Sequence, residues 1–492
     1  MTSPFDEAKY RALLEGLEAV EIRLSDVLKH NEVLRVDSEY FQKADLILLR
    51  RLEFLKSRRI GDFSYVTDGI HESIVFSEDS KINLISAKCP KENVFDLDSS
   101  LYISEAQHKA NTRTSLNIRD IVLSTVGTIG NCAVVDASIL PANTDRHVGI
   151  IRIEEDFHPY VLSTFLLSRY GRFQTKRETT GNVQPNLFLV KIRELLIPPF
   201  SIDFQETIER TVIAAHQILS LSKSLHKKAE QKLLRTLGLE AWQPPEALTY
   251  VRKSSDVFAA GRFDAEHFQE KYFAVRHALK DAGALHFILL DEILTTLTNG
   301  HTPLHHDLST GEVPFLCAEH INDFEISYET EKRILLTHHN TELLQTSLKE
   351  GDVLMTIKGK VGNAALVEDI SGPVNINQDV ALLRLNDKLP LWYVLAFVNS
   401  TFGNMLSKQL STGGINPFLG LGNVRLLEIP VFDEKVMYEI AGETRNSVHS
   451  ARHARTQARN LLERAKRAVE IAIEENETVA MEFLKQSQGI TK

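Results

Sequence analysis

The sequence predicts an internally duplicated α+β protein. Two similar mixed domains are expected to be joined by two long helices, which pair with each other as a coiled-coil spacer. Three observations predict this fold class. Motifs recur at a nearly constant separation, each copy runs from glycine turns and short strands into a long helical pattern, and both helical patterns carry a heptad seam. At 492 residues the chain is also too long for one ordinary hydrophobic core.

The repeat appears in three motifs. The segment "RVDSEYFQ" from Arg35 matches "RFDAEHFQ" from Arg262. The turn "GTIGNCAVV" from Gly127 matches "GKVGNAALV" from Gly359, a separation of 359 − 127 = 232 positions. The stretch "TTGNVQPNLFLVKIRELLIP", which ends at 198, matches "STGGINPFLGLGNVRLLEIP", which ends at 430, at the same separation. A duplication with few insertions or deletions explains this regularity.

Each copy contains a strand–turn–strand unit. Asp120 and Asp352 precede apolar runs that are typical of buried strands, and a GxxG turn and a second apolar run follow each of them. Glycine adopts turn conformations that other residues adopt only at a cost in free energy. Since turns need glycine whatever the function of the protein, these glycines are interpreted as structural.

A long helical pattern follows each mixed segment. Its apolar and small residues alternate in spacings of four and three, which is the heptad pattern of a coiled coil. A helix from about 204 to 237 would span about 50 Å. A spacer of this length could place the two mixed domains on one face of duplex DNA, which repeats about every 34 Å. The predicted seams are Ile208, Val212, Ala215, Leu219, Ser222, His226, Ala229 and Leu233, and Ile440, Thr444, Ser447, Ala451, Ala454, Ala458, Leu461, Ala465, Ala468 and Ala472.

These patterns predict five segments. They are an N-terminal helix and lead-in at 1–34, a first mixed domain at 35–201, a first spacer helix at 202–240, a linker with the second mixed domain at 241–431, and a second spacer helix at 432–492.

The composition is that of a soluble globular protein, with 43% hydrophobic and 25% charged residues. The net charge of −10 implies that contact with nucleic acid must come from local basic patches. Cys89, Cys132 and Cys317 are far apart, without metal-type spacing, which favours a reducing cytoplasmic location. No signal peptide and no membrane-spanning run is predicted.

The duplicated domains, their "TTG…QPN…LLIP" and "STG…NP…LLEIP" ends and the heptad helices together resemble the specificity (S) subunits of type I restriction–modification systems, over nearly the whole chain. This resemblance implies two target-recognition domains, each of which binds one half of a split site in double-stranded DNA. It implies that the two long helices pack antiparallel as the spacer between the domains, in a pseudo-twofold arrangement. It also implies a non-catalytic chain that binds no cofactor itself. The expected partners are two methyltransferase (modification) subunits, which carry S-adenosylmethionine and methylate adenine, and in many such systems a motor-nuclease subunit. The alternative is a non-catalytic scaffold, a protein-binding component of a phage-defence complex.

The candidate DNA contacts are basic and amide side chains in turns, or in stretches where the two copies differ. Asn and Gln can read adenine through paired hydrogen bonds, and lysines beside a turn can contact phosphate. The same side chains can instead cap the backbone or lie at solvated helix ends. The candidates are Lys56, Arg58, Arg59, Lys88, Arg113, Arg146, Asn182, Gln184, Asn186, Asn299, Thr302, Lys358, Lys360 and Asn416.

The sequence predicts neither a metal site nor a catalytic residue. A histidine cluster is too loosely spaced for metal ligation, and Pro303 breaks any helix there. The stretch "LIPPF" resembles the Asn-Pro-Pro-aromatic loop of adenine methyltransferases, but Ile197 stands where that loop needs its polar residue. No G-x-x-x-x-G-K-[ST] phosphate loop occurs. The histidine cluster comprises His301, His305, His306 and the neighbouring Asp307.

Overall fold

The structure is a computed structural model that describes residues 6–15, 21–29, 35–97, 100–181, 184–247, 249–304 and 306–486. The chain forms two compact units. Unit 1 comprises Met1–Ser220 together with Arg455–Lys492, and unit 2 comprises Leu221–Ala454. Two long helices each run from one unit into the other, so each unit contains half of both helices.

Two main sheets and the helices that cover them form the first part of the chain. Its elements are α1 (Glu7–Leu14), α2 (Leu24–Lys29), α3 (Lys43–Phe54), β1 (Arg58–Arg59), β2 (Ser64–Asp68), β3 (Ile82–Ile85), β4 (Leu101–Ile103), α4 (Glu105–Ala110), β5 (Ile121–Ser124), β6 (Cys132–Val134), β7 (Ala142–Thr144), β8 (Val148–Ile153), α5 (Pro159–Leu167), α6 (Arg169–Glu178), α7 (Leu189–Glu194), β9 (Leu196–Ile197) and α8 (Ile202–Thr236). The larger sheet is antiparallel, in the order β2-β8-β5-β6. The smaller sheet has the order β4-β3-β7, with β3 and β7 parallel.

The second part of the chain repeats this plan. Its elements are α9 (Ser254–Ala260), α10 (Glu270–Asp281), β10 (His286–Leu289), β11 (Leu294–Asn299), β12 (Val313–Leu316), β13 (Ile321–Asn322), β14 (Glu325–Ile326), β15 (Arg333–Ile334), α11 (Leu336–Asn340), β16 (Val353–Thr356), β17 (Ala364–Leu366), β18 (Asn375–Ile376), β19 (Val380–Leu385), α12 (Leu391–Val398), α13 (Thr401–Leu410), α14 (Leu421–Arg425), β20 (Glu428–Val431), α15 (Glu434–Glu474) and α16 (Glu477–Gln486). The antiparallel sheet β11-β19-β16-β17 corresponds to β2-β8-β5-β6. The sheet β15-β12-β18, with β12 and β18 parallel, corresponds to β4-β3-β7.

A buried ion pair braces the larger sheet of each unit. Arg152 Nε lies 3.1 Å from Asp120 Oδ2, and Arg384 Nε lies 2.8 Å from Asp352 Oδ1. Both carboxylates are buried beside the first residue of β5 or β16, and burial raises the pKa of Asp120 although Arg152 opposes the rise. Breaking either pair would leave a buried charge without its partner, which is strongly destabilising.

The long helices α8 and α15 run antiparallel where they pair within unit 2. Ser222 Oγ donates to the carbonyl of Ala451 at 2.7 Å, and Lys232 Nζ lies 2.9 Å from Glu439 Oε1, so higher numbers on one helix face lower numbers on the other. In unit 1 the predicted seam residues of α8 and α15 share one core with the sheet. Leu219, His226 and Leu461 are only partly buried, whereas the other predicted seam residues are buried.

The helix ends differ slightly from the sequence-based bounds. α8 ends at Thr236, before the glycine at 238, which has a positive φ of 68°. The predicted second spacer helix consists of α15 and α16, because Asn476 starts a new helix by accepting a hydrogen bond from the Val479 N–H through its side chain at 3.0 Å. No helix among the described residues is long and apolar enough to cross a membrane.

Candidate nucleic-acid interface

The arginine that begins each "RVDSEYFQ" or "RFDAEHFQ" motif binds the C-terminal end of a helix, α6 in unit 1 and α13 in unit 2. In unit 1, Arg35 Nη1 donates to the carbonyls of Arg177 and Thr179 at 2.9 and 3.1 Å, at the C-terminal end of α6. The other side of the guanidinium pairs with Asp37, with Nε–Oδ2 at 2.8 Å. The motif therefore links the start of the domain to the "TTG" stretch, and satisfies carbonyls that the helix leaves unpaired.

Arg262 makes the same contacts in unit 2. Its Nη1 donates to the carbonyls of Gln409 and Leu410 at 3.3 and 3.1 Å, and its Nη2 donates to the carbonyl of Ser411 at 2.9 Å. Asp264 binds the other side of the guanidinium at 2.7 and 3.0 Å, and the hydrogen bond from Arg262 holds the pKa of Asp264 below its usual range. Both units thus present their "TTG" or "STG" loop from a fixed anchor.

The two GxxG turns serve the backbone. Gly127, Gly130, Gly359 and Gly362 all have positive φ, between 72° and 99°. A Cβ on Gly130 would lie 2.8 Å from Oγ1 of Thr175 on α6, so the second glycine also permits close packing of the turn against the helix.

The sheet register gathers polar side chains at one end of β2, β5 and β8 in unit 1. A cleft there is lined by Arg146, Gln184 and Asn186 among the predicted contacts. The "TTG" loop closes beside the cleft through Thr180 and Asn186, which exchange backbone hydrogen bonds of 3.0 and 2.8 Å. We call this cleft the unit 1 polar end; it is lined by Asp68, His71, Thr125, Val126, Arg146, His147, Gln184, Asn186, Leu187, Phe188 and Leu189.

Arg113 lies beside the same cleft through its contact with Asp68. Its Nη1 is 3.2 Å from Asp68 Oδ1 and also donates to Thr67. Asp68 Oδ2 is in addition 2.6 Å from His71 Nε2. The acidic side chain is therefore flanked by two groups that can donate hydrogen bonds, and Arg113 stays half exposed.

Unit 2 has an equivalent polar end, where β11, β16 and β19 end or begin. Thr302 Oγ1 donates to Gln378 Oε1 at 2.8 Å, and Asn299 Nδ2 donates to the Gln378 carbonyl at 3.1 Å. Lys358 Nζ lies 3.6 Å from Asp379 Oδ1, next to Gln378. The unit 2 polar end thus comprises Asn299, Thr302, Lys358, Gln378, Asp379 and the loop 412–418.

The loop 412–418 follows the same plan as its counterpart. Thr412 and Phe418 exchange backbone hydrogen bonds of 2.8 and 2.7 Å. Phe418 also forms an antiparallel backbone β-bridge with Lys358. Gly413 has a φ of +87°, and a Cβ there would lie 2.8 Å from the Asn416 carbonyl. Asn416 is exposed in this tightly closed loop.

The remaining candidates lie away from these polar ends or bind other partners. Arg58 pairs with Glu155 at 2.7 Å and stacks over Phe63, 4.0 Å from its ring centroid. Lys56 and Arg59 are exposed near β1, at the opposite end of β2. Lys88 is exposed next to Ala87, whose carbonyl accepts hydrogen bonds from Ser124 and Thr128. Lys360 is exposed on the second turn, near the half-buried Asp323. Asn182 lies outside the described residues.

Sequence reasoning missed Gln378, Asp68 and His71, which complete the two polar ends. The 232-residue separation offered a signal for one of them. It aligns Gln378 with the candidate Arg146, at a position where the two copies differ.

The described histidines of the loosely spaced cluster, His301 and His306, bind other groups. His301 Nε2 lies 3.1 Å from Glu342, and His306 faces backbone carbonyls; His305 lies outside the described residues. Elsewhere in the described chain, Cys317, Glu319 and His320 bring potential ligand atoms within 4.8 Å of one another.

A lysine already occupies this cluster. Lys332 Nζ is 2.7 Å from Glu319 Oε1 and 3.6 Å from Cys317 Sγ. Burial raises the pKa of the Cys317 thiol, which disfavours the thiolate that a metal would need. The cluster is therefore explained as an ion pair beside a buried thiol.

Several solved structures are similar to the chain. They include the S subunit of the type I restriction–modification system from M. genitalium (TM-score 0.40, 13% identity, 85% of this chain and 94% of that chain). A chain solved in work on complex assembly and conformational transition of the type I R-M system has a TM-score of 0.33 at 16% identity, covering 86% and 97% of the two chains. The HsdS subunit from Thermoanaerobacter tengcongensis has a TM-score of 0.28 at 16% identity, covering 86% and 96%.

TM-scores below 0.5 at such identities are too low to assign a function to this chain. No protein-family model and no curated protein matches the sequence.

Proposed function

We propose that this chain is the DNA-specificity subunit of a type I restriction–modification complex, in which each unit reads one half of a bipartite duplex site. One observation carries the proposal. The same end of the same sheet presents exposed hydrogen-bonding side chains in both units, and those side chains differ while the scaffold agrees. Two readers of different half-sites need a common scaffold and different base contacts.

In this role the chain reads DNA and the chemistry belongs to its partners. Two methyltransferase subunits, which bind S-adenosylmethionine, would dock on the complex and methylate adenine, and a motor-nuclease subunit would add restriction. The acidic net charge of −10 is compatible with DNA binding, because Arg113, Arg146 and Lys358 lie at or beside the polar ends.

Duplex binding and adenine methylation together test the function. The full chain is co-expressed with a candidate methyltransferase subunit from the same genome, and the purified complex is titrated with duplexes of random and enriched sequence at several salt concentrations. Sequence-selective binding that weakens with salt, and methylation at one split motif with a fixed gap, are expected. A stable complex that binds no duplex selectively and methylates nothing would contradict the proposal and favour the scaffold alternative.

A further inference from the structure

One turn at the unit 1 polar end places an arginine in the cleft. The Asp145 side chain accepts a hydrogen bond from the His147 N–H at 2.9 Å, which closes a turn around Arg146. The Thr125 N–H donates to the His147 carbonyl at 3.1 Å and attaches this turn to the end of β5. Arg146 is the middle residue of the turn, and it is exposed.

Unit 2 contains the same turn with a different middle residue. The Asn377 side chain accepts from the Asp379 N–H at 3.0 Å, and the Ile357 N–H donates to the Asp379 carbonyl at 3.0 Å. Gln378 is the exposed middle residue of this turn. Because both turns have the same backbone bonds and the same attachment to the sheet, Arg146 and Gln378 occupy equivalent positions.

A glycine packs directly against the backbone that leads into each turn. A Cβ on Gly69 would lie 2.0 Å from the Asp145 carbonyl oxygen, and a Cβ on Gly300 would lie 1.7 Å from the Ile376 carbonyl oxygen. No side chain fits between these glycines and the strand that leads into the turn. The backbone that carries Arg146 or Gln378 is therefore fixed before any ligand binds, which lowers the entropic cost of recognition.

The two middle residues offer different hydrogen bonds. Among the described residues, the Arg146 guanidinium has no hydrogen bond or ion pair, so its fork of donors is available. Gln378 Oε1 accepts one bond from Thr302, which orients the amide and leaves its NH₂ group and a second lone pair available. Arginine matches the O6 and N7 acceptors of guanine, and glutamine matches the N6 donor and N7 acceptor of adenine.

We infer that Arg146 reads a guanine in the half-site bound by unit 1, and that Gln378 reads an adenine in the half-site bound by unit 2. This inference rests on the proposed function and names the base at one position of each half-site. Thr302 acts as a positioning residue for Gln378, since it holds the amide in the orientation that adenine requires.

Reciprocal substitutions test the inference in the full complex with its methyltransferase. Complexes that contain the wild-type, Arg146→Gln or Gln378→Arg chain are used to select duplexes from a randomised library. The bound and methylated sequences are then determined. Arg146→Gln is expected to change a guanine to adenine in one half-site only, and Gln378→Arg to change an adenine to guanine in the other. Each change should alter the preference at that position by about 10- to 100-fold.

Lys81→Gln is the matched control for Arg146→Gln. It removes the same charge from an exposed residue outside the cleft, and should weaken binding slightly without altering any base preference. Unchanged motifs for both reciprocal variants, in complexes that still bind and methylate selectively, would overturn the inference while the proposed function stands. A wild-type complex that shows no sequence-selective binding would instead overturn the proposed function.

Modified DNA tests the same contacts in the wild-type complex, so the result does not depend on the folding of a variant. A site that carries 7-deazaguanine at the guanine assigned to Arg146 lacks the N7 acceptor, and should bind about 10-fold more weakly. 7-Deazaadenine at the adenine assigned to Gln378 should have a similar effect in the other half-site. Unchanged affinity with both modified bases would refute a major-groove contact by these residues.

Discussion

Replacement of Arg262 by alanine should open the loop 411–418 without unfolding unit 2. The side chain supplies three hydrogen bonds to carbonyls at the C-terminal end of α13, and hydrogen bonds from a charged donor contribute about 1.5–3 kcal/mol each when they are well formed. The longest of them, 3.3 Å, is weak. The ion pair with Asp264 adds at most about 1 kcal/mol, because that carboxylate is 45% exposed. Because the contributions of bonds within one network are not additive, we expect a local loss below their sum, of about 2–4 kcal/mol.

Hydrogen exchange followed by mass spectrometry measures this loss directly. A loss of 2–4 kcal/mol in the free energy of local opening corresponds to exchange that is about 30-fold faster or more in peptides covering 409–418. Arg35→Ala is the matched control, because it removes the same anchor from unit 1 and should accelerate exchange after α6 only. Unchanged exchange at 409–418 in the Arg262→Ala chain would refute the anchoring role.

Three further predictions concern the loop, the helix pair and pH. Gly413→Ala should cost about 1–2 kcal/mol and weaken binding of one half-site, because its φ is +87°, whereas Gly414→Ala, which meets open space, should bind DNA like wild type in the same titration. Ala465→Leu should destabilise unit 1 by about 1–3 kcal/mol in urea unfolding, since the alanine is fully buried between helices; equal midpoints would contradict this. Burial lowers the pKa of His216. Below about pH 6.5 the unfolded chain therefore gains a proton that the folded chain does not, and stability falls. His216→Gln should lose less stability than wild type between pH 7 and pH 5, and parallel curves of stability against pH would contradict the assignment.

The fold was accessible from the sequence where a signal repeats over many residues. The heptad seam predicted the long helices because burial at positions such as Ile208 and Ala458 recurs on one face for many turns. The short strands gave weaker signals. All residues of β5 and β16 are buried, so their sequences lack the alternation that identifies a half-exposed strand.

The polar ends were harder to predict than the fold. Arg146 lies in a different segment from Gln184 and Asn186, and the pairing of β5 with β8 together with the Val126–Asn186 bridge brings them to one cleft. Arg58 stood out in the sequence as part of a basic run, but its stacking on Phe63 depends on a tertiary contact that spacing does not reveal. Sequence identified the residue types, whereas the sheet decided which of them meet.

Because α8 and α15 are each divided between the two units, the order of synthesis determines which unit can be completed first. Unit 2 is one continuous segment, 221–454, and all of its residues are translated before the last part of α15. Unit 1 needs Ala458, Leu462 and Ala480 to complete its core, although its own sheet was translated first. The first unit to be synthesised is therefore the last to be completed, and a chain that stops before residue 455 would contain all of unit 2 but only part of unit 1.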